Sequence, residues 1–193
     1  MTGTLGVVLA GGLARRMGGG DKGLLPLGEA TILDRVVARL APQVAGLALN
    51  ANGDPARFAR LGLPVIPDSI EGYPGPLAGV LAGLDWAHAQ GAAQIATAAW
   101  DTPFFPTDLV ARLEAEPGPI TLARTPEGRH PTFGLWPVAL RDDLRAELLA
   151  GTRKVLAWTD KHGTSYADFD GDPDPFFNVN TPEDLAAAEE LLA

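Results

Sequence analysis

The chain alternates short apolar runs with longer stretches in which apolar residues recur at helical spacing. Leu5–Leu9 has the length and composition of a buried strand. Thr31–Leu40 shows one apolar face, and Asp34 follows its first residue at the spacing of a capped helix start. The same patterns predict strands at Leu47–Leu49, Pro64–Ile66 and Ile95–Ala99, extended segments at Ile120–Ala123 and Thr132–Trp136, helices at Pro76–Gln90, Thr107–Leu113 and Asp142–Leu149, a short helix from Asp54-Pro55, and a last helix that begins at Thr181.

Strands that alternate with helices in this way predict an α/β fold. We expect one domain over residues 1–193, built as three α/β/α layers around a largely parallel, Rossmann-like sheet. A chain of this length, with 46% hydrophobic residues, can bury one core of good size.

Composition narrows the class of protein. No apolar run reaches the length of a membrane span, and the N-terminus lacks a basic segment followed by an apolar one. A formal net charge of −9 argues against the basic surface that sequence-independent nucleic-acid binding needs. The absence of cysteine excludes disulfides and thiolate metal sites. We therefore expect a cytoplasmic enzyme that acts on small phosphorylated molecules, with neither nucleic acid nor a membrane as a partner.

Positive charge gathers in one glycine-rich segment directly after the first predicted strand. Residues 11–23 hold Arg15, Arg16 and Lys22 among the glycines. Glycine lets the backbone approach a bulky anion, successive N–H groups can form an anion-binding nest, and the cations suit a polyphosphate. The alternative is a flexible surface loop, and the three basic residues favour phosphate binding over it. In either case we expect the loop to be exposed, so that Lys22→Ala leaves the fold intact.

Two common phosphate-binding motifs do not fit this segment. A P-loop needs Gly-Lys followed by Ser or Thr, whereas Lys22 stands between Asp21 and Gly23. Residues 18–23 match the letters of a dinucleotide fingerprint, but they lie well past the strand end and lead to Pro26 rather than into a helix. A phosphate-binding loop in this segment would therefore be of another kind.

Polar residues follow four of the predicted strands, each within a few positions of the strand end. They are Gly11 with its exposed backbone, Asn50, Asp68 and Asp101. Ligands of open α/β sheets bind beyond the carboxyl ends of the strands, so these positions should meet in one cleft. Asp101, stiffened by Pro103, suits Mg²⁺, which needs one or two carboxylates besides substrate phosphates. The alternative role for Asp101 is to open a turn before the proline.

The loop and the later short motifs form an ordered set that runs through nearly the whole chain. The set resembles the nucleotidyltransferases of the glycosyltransferase-A-like superfamily, and within them most closely the molybdenum cofactor guanylyltransferases. Its members are Leu9-Ala10-Gly11-Gly12, Arg16-Met17, Asp21-Lys22-Gly23, Asn50-Ala51-Asn52, Val65-Ile66-Pro67-Asp68, Tyr73-Pro74-Gly75-Pro76-Leu77-Ala78-Gly79, Asp101-Thr102-Pro103, Arg129-His130-Pro131 and Asn178-Val179-Asn180-Thr181-Pro182.

The resemblance implies roles for individual residues. Arg16, Lys22 and Asp101 would be catalytic, and Asp101 would hold Mg²⁺, with Mn²⁺ as an alternative ion. Asn178 and Asn180 would lie near that metal. About 1–105 would form the nucleotide-binding part, and about 106–193 the acceptor-binding part. The nucleotide-binding residues would be Leu9, Ala10, Gly11, Gly12, Lys22, Asn50, Asp68 and Asp101.

The implied reaction is transfer of GMP from GTP to the terminal phosphate of molybdopterin, with release of pyrophosphate. A CTP-dependent transferase, a sugar-phosphate nucleotidyltransferase and a non-catalytic nucleotide-binding module stay open as alternatives. Retention of both Lys22 and Asp101 argues against the last, because a pure binder needs no metal bridge. The implied partners are GTP and molybdopterin, with transient contact to other cofactor-biosynthesis proteins or to the recipient molybdoenzyme. We expect a monomer.

Three further positions carry expectations of their own. Trp100 stands where relatives usually have a small residue or a cysteine, and we expect its indole to lie in the core rather than to narrow the cleft. Arg129-His130-Pro131 could meet an acceptor phosphate, although a lone histidine before proline is more often structural. The loop at 151–154, with Arg153 and Lys154, could also bind an acceptor or simply be a solvated turn.

Overall fold

One sheet contains seven strands: β1 (Leu5–Leu9), β4 (Leu47–Asn50), β5 (Val65–Ile66), β6 (Gln94–Ala99), β7 (Thr121–Thr125), β8 (Gly128–Pro137) and β9 (Ser165–Asp168). Across the sheet these strands lie in the order β5-β4-β1-β6-β8-β7-β9. They belong to a computed structural model that describes residues 3–10, 21–70, 72 and 75–192. Six of the seven strands run in the same direction, and β8 alone is antiparallel to both of its neighbours.

Helices cover both faces of this sheet, and a two-stranded antiparallel ribbon stands apart from it. The ribbon consists of β2 (Pro26–Leu27) and β3 (Ala30–Thr31). The helices are α1 (Ile32–Leu40), α2 (Pro76–Ala89), α3 (Leu109–Glu114), α4 (Arg141–Leu149), α5 (Val155–Thr159) and α6 (Pro182–Glu190), and 3₁₀ turns include Lys22–Leu24 and Pro55–Leu61.

The core is divided by the sheet into two apolar layers. One layer packs α1 and α3 on the sheet and includes Leu33, Phe105 and Phe133. The other packs α2, α4 and α5 on the opposite face and includes Trp136 and Trp158. Apolar burial on both faces confirms the predicted three-layer α/β/α architecture with its largely parallel sheet.

The first and last helices begin where their capping residues predict. Thr31 accepts from the backbone N–H of Asp34, and Asp34 accepts from that of Thr31, which completes a capping box for α1. Thr181 and Asp184 make the same reciprocal pair for α6, with proline in its first turn. Each box satisfies backbone donors that would otherwise be unpaired, so these two boundaries were readable from the sequence.

Two glycines of helix α2 face the strands and allow the helix to pack closely on the sheet. A Cβ at Gly83 would lie 2.8 Å from Ile95 Cδ1 and 2.9 Å from Val7 Cγ2. A Cβ at Gly79 would overlap the side chain of Asn50. The missing methyl groups let the helix approach the ends of the strands, where ligands bind in folds of this kind.

The second half of the chain departs most from the predictions. Helix α5 and strand β9 were not predicted, and β8 extends well beyond the predicted segment Thr132–Trp136. The sheet runs without interruption from the strands before residue 105 into those after it, through the pairing of β6 with β8. The proposed division of labour between the two parts stays a prediction.

Among the residues that the structure describes, no helix is long and apolar enough to cross a membrane.

Candidate active site

The carboxyl ends of four neighbouring parallel strands lie at one level of the sheet. Leu9, the last residue of β1, pairs with Asn50 on one side and with Ala99 on the other. Asn50 pairs in turn with Ile66 at the end of β5. The Ala10 N–H donates to the Asn50 carbonyl at 2.9 Å. The segments that carry the predicted site residues therefore leave the sheet side by side, as the strand-end argument requires. Gly11, Gly12 and Arg16 lie outside the described residues.

Lys22 and Asp101 meet at this edge. Lys22 Nζ donates to Asp101 Oδ2 at 2.6 Å and to Asn180 Oδ1 at 2.5 Å. Lys22 is only 9% exposed, and Gly23 of the same 3₁₀ turn lies against the indole of Trp100. The expectation that this lysine is exposed was wrong. Its ammonium is held by oxygen ligands within the site rather than extended into solvent.

The segment before α6 supplies the second wall of this site. Thr102 Oγ1 donates to Asn178 Oδ1 at 2.5 Å, and the Val179 N–H donates to the Asp101 carbonyl at 2.8 Å. Val179 is fully buried, so the asparagines on either side of it flank the strand end. The Asn180 N–H donates to Asp184 at 2.8 Å, which ties the segment to the α6 capping box. The structure thus brings Asn178 and Asn180 to Asp101 and Thr102.

A second group of polar residues gathers beside β4 and β5. Asn50 Nδ2 donates to Asp68 Oδ1 at 3.0 Å and to the Ile66 carbonyl at 3.1 Å. Asn52 makes a reciprocal pair with Asp68: its Nδ2 donates to Asp68 Oδ2 at 2.7 Å, and its Oδ1 accepts from the Asp68 N–H at 2.9 Å. The carboxylate is therefore fixed in orientation by neutral amides, and no cation is paired with it among the described residues.

Asn50 is 4% exposed, and both of its amide hydrogens are occupied. Its geometry suits a residue that holds Asp68 in place more than one that donates to a ligand. Asn52 is exposed and supplies the second amide that holds Asp68. It belongs to the motif Asn50-Ala51-Asn52 but was not among the predicted site residues. The signal that could have found it is its spacing of two from Asn50.

Trp100 lies in the core, as expected. It is 4% exposed and belongs to the apolar layer beneath α1. A Cβ at Gly23 would lie 2.6 Å from the indole Cε3, so glycine is needed there for the Lys22 turn to rest on the ring. The indole therefore packs in the core against Gly23 of the Lys22 turn.

The donor set around Asp101 fits a hard cation. Among the described residues, no group of three or more histidine, aspartate or glutamate side chains is arranged to hold a metal. The Asp101 carboxylate and the Asn180 amide oxygen nevertheless converge on the Lys22 ammonium. Carboxylate and amide oxygens are the ligands that Mg²⁺ takes when most of its coordination comes from water and phosphate. Asp101 is thus the residue here that could hold the ion.

The remaining candidates for acceptor binding have partners of their own. Arg129 Nη1 lies 3.1 Å from the Tyr166 hydroxyl. His130 Nε2 lies 2.9 Å from Thr125 Oγ1, and its ring stacks on Phe176. Burial lowers the pKa of His130 below its ordinary value, although Asp174 acts in the opposite direction. This environment is that of a structural histidine.

The loop at 151–154 lies near the residue that precedes α2. A Cβ at Gly75, which precedes α2, would lie 3.9 Å from the Arg153 carbonyl oxygen. Arg153 Nη1 donates to the carbonyl of Leu148 at 3.1 Å, which fixes the loop to the end of α4. The loop therefore approaches the segment that leads into α2.

Comparison with known proteins agrees with this arrangement. The family model described as the MobA-like NTP transferase domain matches residues 6–164. The chain is 52% identical to a molybdenum cofactor guanylyltransferase of Mesorhizobium japonicum over 97% of this chain and 95% of the relative. It is 53% identical to one of Cereibacter sphaeroides, over 97% and 96%.

Solved structures show the same fold. A molybdopterin-guanine dinucleotide biosynthesis protein A of Archaeoglobus fulgidus has 24% identity and a TM-score of 0.78, with 98% of each chain covered. The family match spans the loop, the strand ends and Asp101, and the relatives share about half of their residues along almost the whole chain. This protein belongs to the MobA-like NTP transferase family.

Proposed function

We propose that this protein transfers GMP from GTP to the terminal phosphate of molybdopterin and releases pyrophosphate. The contact between Lys22 and Asp101 at the strand ends carries the proposal, because it joins a phosphate-binding cation to a metal-binding carboxylate. The choice of GTP over CTP is supported by relatives above 50% identity that are named guanylyltransferases.

The reaction needs no nucleophile generated by the protein. One oxygen of the acceptor's terminal phosphate attacks the α-phosphorus of GTP. The bond from that phosphorus to the oxygen bridging to the β-phosphate breaks, and this oxygen leaves with the electron pair as part of pyrophosphate. The attacking phosphate is already an anion, so catalysis consists of positioning and of charge neutralisation.

We assign Lys22 to binding of the triphosphate. Its ammonium has three donors, of which Asp101 and Asn180 accept two. Because it is held at the end of β6 and not in solvent, little side-chain freedom is lost when it binds an anion. We assign it, together with Arg16 of the preceding loop, to the β- and γ-phosphates.

Mg²⁺, or Mn²⁺ in its place, would be held by Asp101, and when bound it supplies neutralisation of charge on the triphosphate. Thr102 and Asn178 lie on the other side of this carboxylate: Thr102 Oγ1 lies 3.3 Å from Asp101 Oδ1 and donates to Asn178 at 2.5 Å. The contact from Lys22 Nζ to Asp101 Oδ2, at 2.6 Å, orients the carboxylate.

We assign Asp68 to binding of the nucleoside. Guanine presents an N–H and an amino group side by side, and a carboxylate can accept from both. Asn50 and Asn52 hold the Asp68 oxygens from one side, which leaves their remaining acceptor positions for a ligand. A base without that pair of donors would leave the carboxylate unpaired, and such mismatches give strong discrimination.

Pyrophosphate release, measured with each of the four nucleoside triphosphates with and without molybdopterin, tests the proposal. We expect release with GTP that depends on the acceptor, and much slower release with ATP, CTP and UTP. Faster release with CTP would identify the protein as a cytidylyltransferase. Release at a rate that does not depend on the acceptor would contradict transfer to molybdopterin.

A further inference from the structure

Arg57 uses all three of its guanidinium nitrogens within the site region. Nη1 donates to both carboxylate oxygens of Asp21 at 2.5 Å. Nη2 donates to the Asn52 carbonyl at 2.6 Å, and Nε donates to the Asp54 carbonyl at 3.0 Å. An arginine fork that is occupied at every nitrogen is fixed in position, unlike a single-contact surface pair.

The local backbone is built to present this fork. Gly53 has a φ of +86°, a conformation that favours glycine, and it turns the chain directly after Asn52. Asp54 then accepts from the Ala56 N–H at 2.9 Å and starts the 3₁₀ turn Pro55–Leu61. The Arg57 guanidinium lies 4.9 Å from the centre of the buried Phe58 ring.

The two ends of this connection are the two halves of the nucleotide site. Asp21 directly precedes Lys22, which contacts Asp101. Asn52 makes the reciprocal pair with Asp68. A continuous series of contacts thus runs from the triphosphate side, through Asp21 and Arg57, to the nucleoside side.

We propose that Arg57 is a positioning residue that sets the distance between Lys22 and Asp68 and thereby couples triphosphate binding to recognition of the base. The inference rests on the proposed function, in which these two residues bind the two ends of GTP. A rigid tether lets one nucleotide satisfy both sites at once. Without it, contact with the base has to be established separately from contact with the phosphates.

The exposure of the pair decides where its effect should appear. The Arg57 and Asp21 side chains are 36% and 19% exposed, and an ion pair whose arginine reaches solvent contributes little to the stability of the fold. The effect should therefore appear in how the site discriminates between nucleotides, more than in the free energy of unfolding. A general loss of stability would weaken the binding of every nucleotide alike.

The test is the dissociation constant of GTP and of ATP, measured by calorimetry with Mg²⁺ and without acceptor. In Arg57→Ala we expect the constant for GTP to rise about tenfold while that for ATP hardly changes, so that discrimination falls by about the same factor. Arg57→Lys should keep most of this loss, because one ammonium cannot serve Asp21 and the Asn52 carbonyl with the geometry of a fork.

Arg60→Ala is the matched control. Arg60 lies on the same 3₁₀ turn and makes a comparable ion pair with Asp34 at 2.6 Å, but its partners are Asp34 and Thr31 and not Asp21 or Asn52. This variant should keep the wild-type discrimination between GTP and ATP. Asp21→Ala should reproduce the effect of Arg57→Ala, and the double variant should be no worse than either single one.

The outcomes separate the two proposals. Three outcomes would overturn the tether and leave the proposed function standing. They are wild-type discrimination in Arg57→Ala, an equal loss of affinity for GTP and ATP, and full rescue by Arg57→Lys. A wild type that binds neither nucleotide would contradict the proposed function and the tether with it.

Discussion

Lys22 and Asp101 form an ion pair that is sheltered from solvent, with side chains 11% and 17% exposed. Removal of one partner from such a pair leaves the other charge poorly solvated, which costs more than the pair itself contributes. The same two residues are those that we assign to catalysis. Substitutions here therefore affect folding and function together, and each needs its own measurement.

Asp101→Asn should lower the free energy of unfolding by about 1 to 3 kcal/mol, because the Lys22 ammonium keeps only neutral acceptors. Urea unfolding measures this directly. Lys22→Met combined with Asp101→Asn removes the stranded charge and should recover part of the loss. If the single variant is as stable as the wild type, the ion pair has no structural weight.

The same substitution should abolish transfer while GTP still binds. Asparagine keeps the shape of Asp101 but loses the charge that makes it a good ligand for a hard cation. We expect the single-turnover rate at saturating GTP to fall by about 100-fold or more, across a Mg²⁺ titration, because metal-assisted stabilisation is worth several kcal/mol. Near-wild-type rates would reduce Asp101 to a turn residue before Pro103.

His130 should make the fold sensitive to mild acid. Burial lowers its pKa in the folded state, against the opposing effects of Asp174 and Glu127, so the unfolded chain takes up the proton first. Stability is complete above the ordinary histidine pKa of about 6.5 and is lost as the pH falls through that value towards the folded pKa. His130→Gln should show a shallower loss between about pH 7.5 and 5.5.

Single residues differ in how far the sequence could predict them. Asp68 and Asp101 follow strands, and Lys22 lies in a glycine-rich basic loop, so local pattern placed them at the predicted cleft. Only the resemblance favoured ligand roles for Asp68 and Asp101 over roles in turns. Lys22 and Asn180 are 158 positions apart, and their contact has no local signal. The position of Asn178 and Asn180 came from resemblance alone. Arg57 had no signal, because a surface arginine that is tethered at both ends looks like any other in sequence.

At the scale of elements, predictability followed the strength of the local signal. Helices α1 and α6 were readable because their capping boxes lie within four residues. Strands β2 and β3 have two residues each, too few to show a period. Strand β9 lies at the edge of the sheet, where solvent accepts polar residues, so it lacks the apolar run of a central strand. The antiparallel direction of β8 is a matter of pairing and has no sequence period.

The two glycines of α2 allow a matched test of how close the helix must be. Alanine at Gly79 would overlap Asn50, which holds Asp68, whereas alanine at Gly83 meets only Val7 and Ile95. Both changes crowd the interface and should cost about 1 to 3 kcal/mol of stability. Gly79→Ala alone should also weaken GTP binding, as measured by calorimetry. Equal GTP affinity in the two variants would show that crowding of Asn50 has no specific effect on nucleotide recognition.

The whole molecule has a net negative charge, and its candidate site includes a lysine sheltered from solvent. The net charge is −9, yet Lys22 lies at the centre of the strand ends, with Asp101 beside it. The sheet is continuous from β1 and β6 into β8, so a nucleotide bound over the first half and an acceptor bound over the second would share one rigid support. This arrangement suits a reaction whose catalysis is mainly positioning.

The most direct measurement follows the phosphorus atoms of the nucleotide. GTP labelled with ³²P at the α-phosphate is incubated with the protein, Mg²⁺ and molybdopterin, in parallel with GTP labelled at the γ-phosphate and with α-labelled CTP. We expect the α-label of GTP in the molybdopterin product, the γ-label in pyrophosphate, and far less transfer from CTP. Three results would contradict guanylyl transfer by this site. They are a γ-label on the acceptor, transfer from CTP at an equal or higher rate, and label that never leaves GTP.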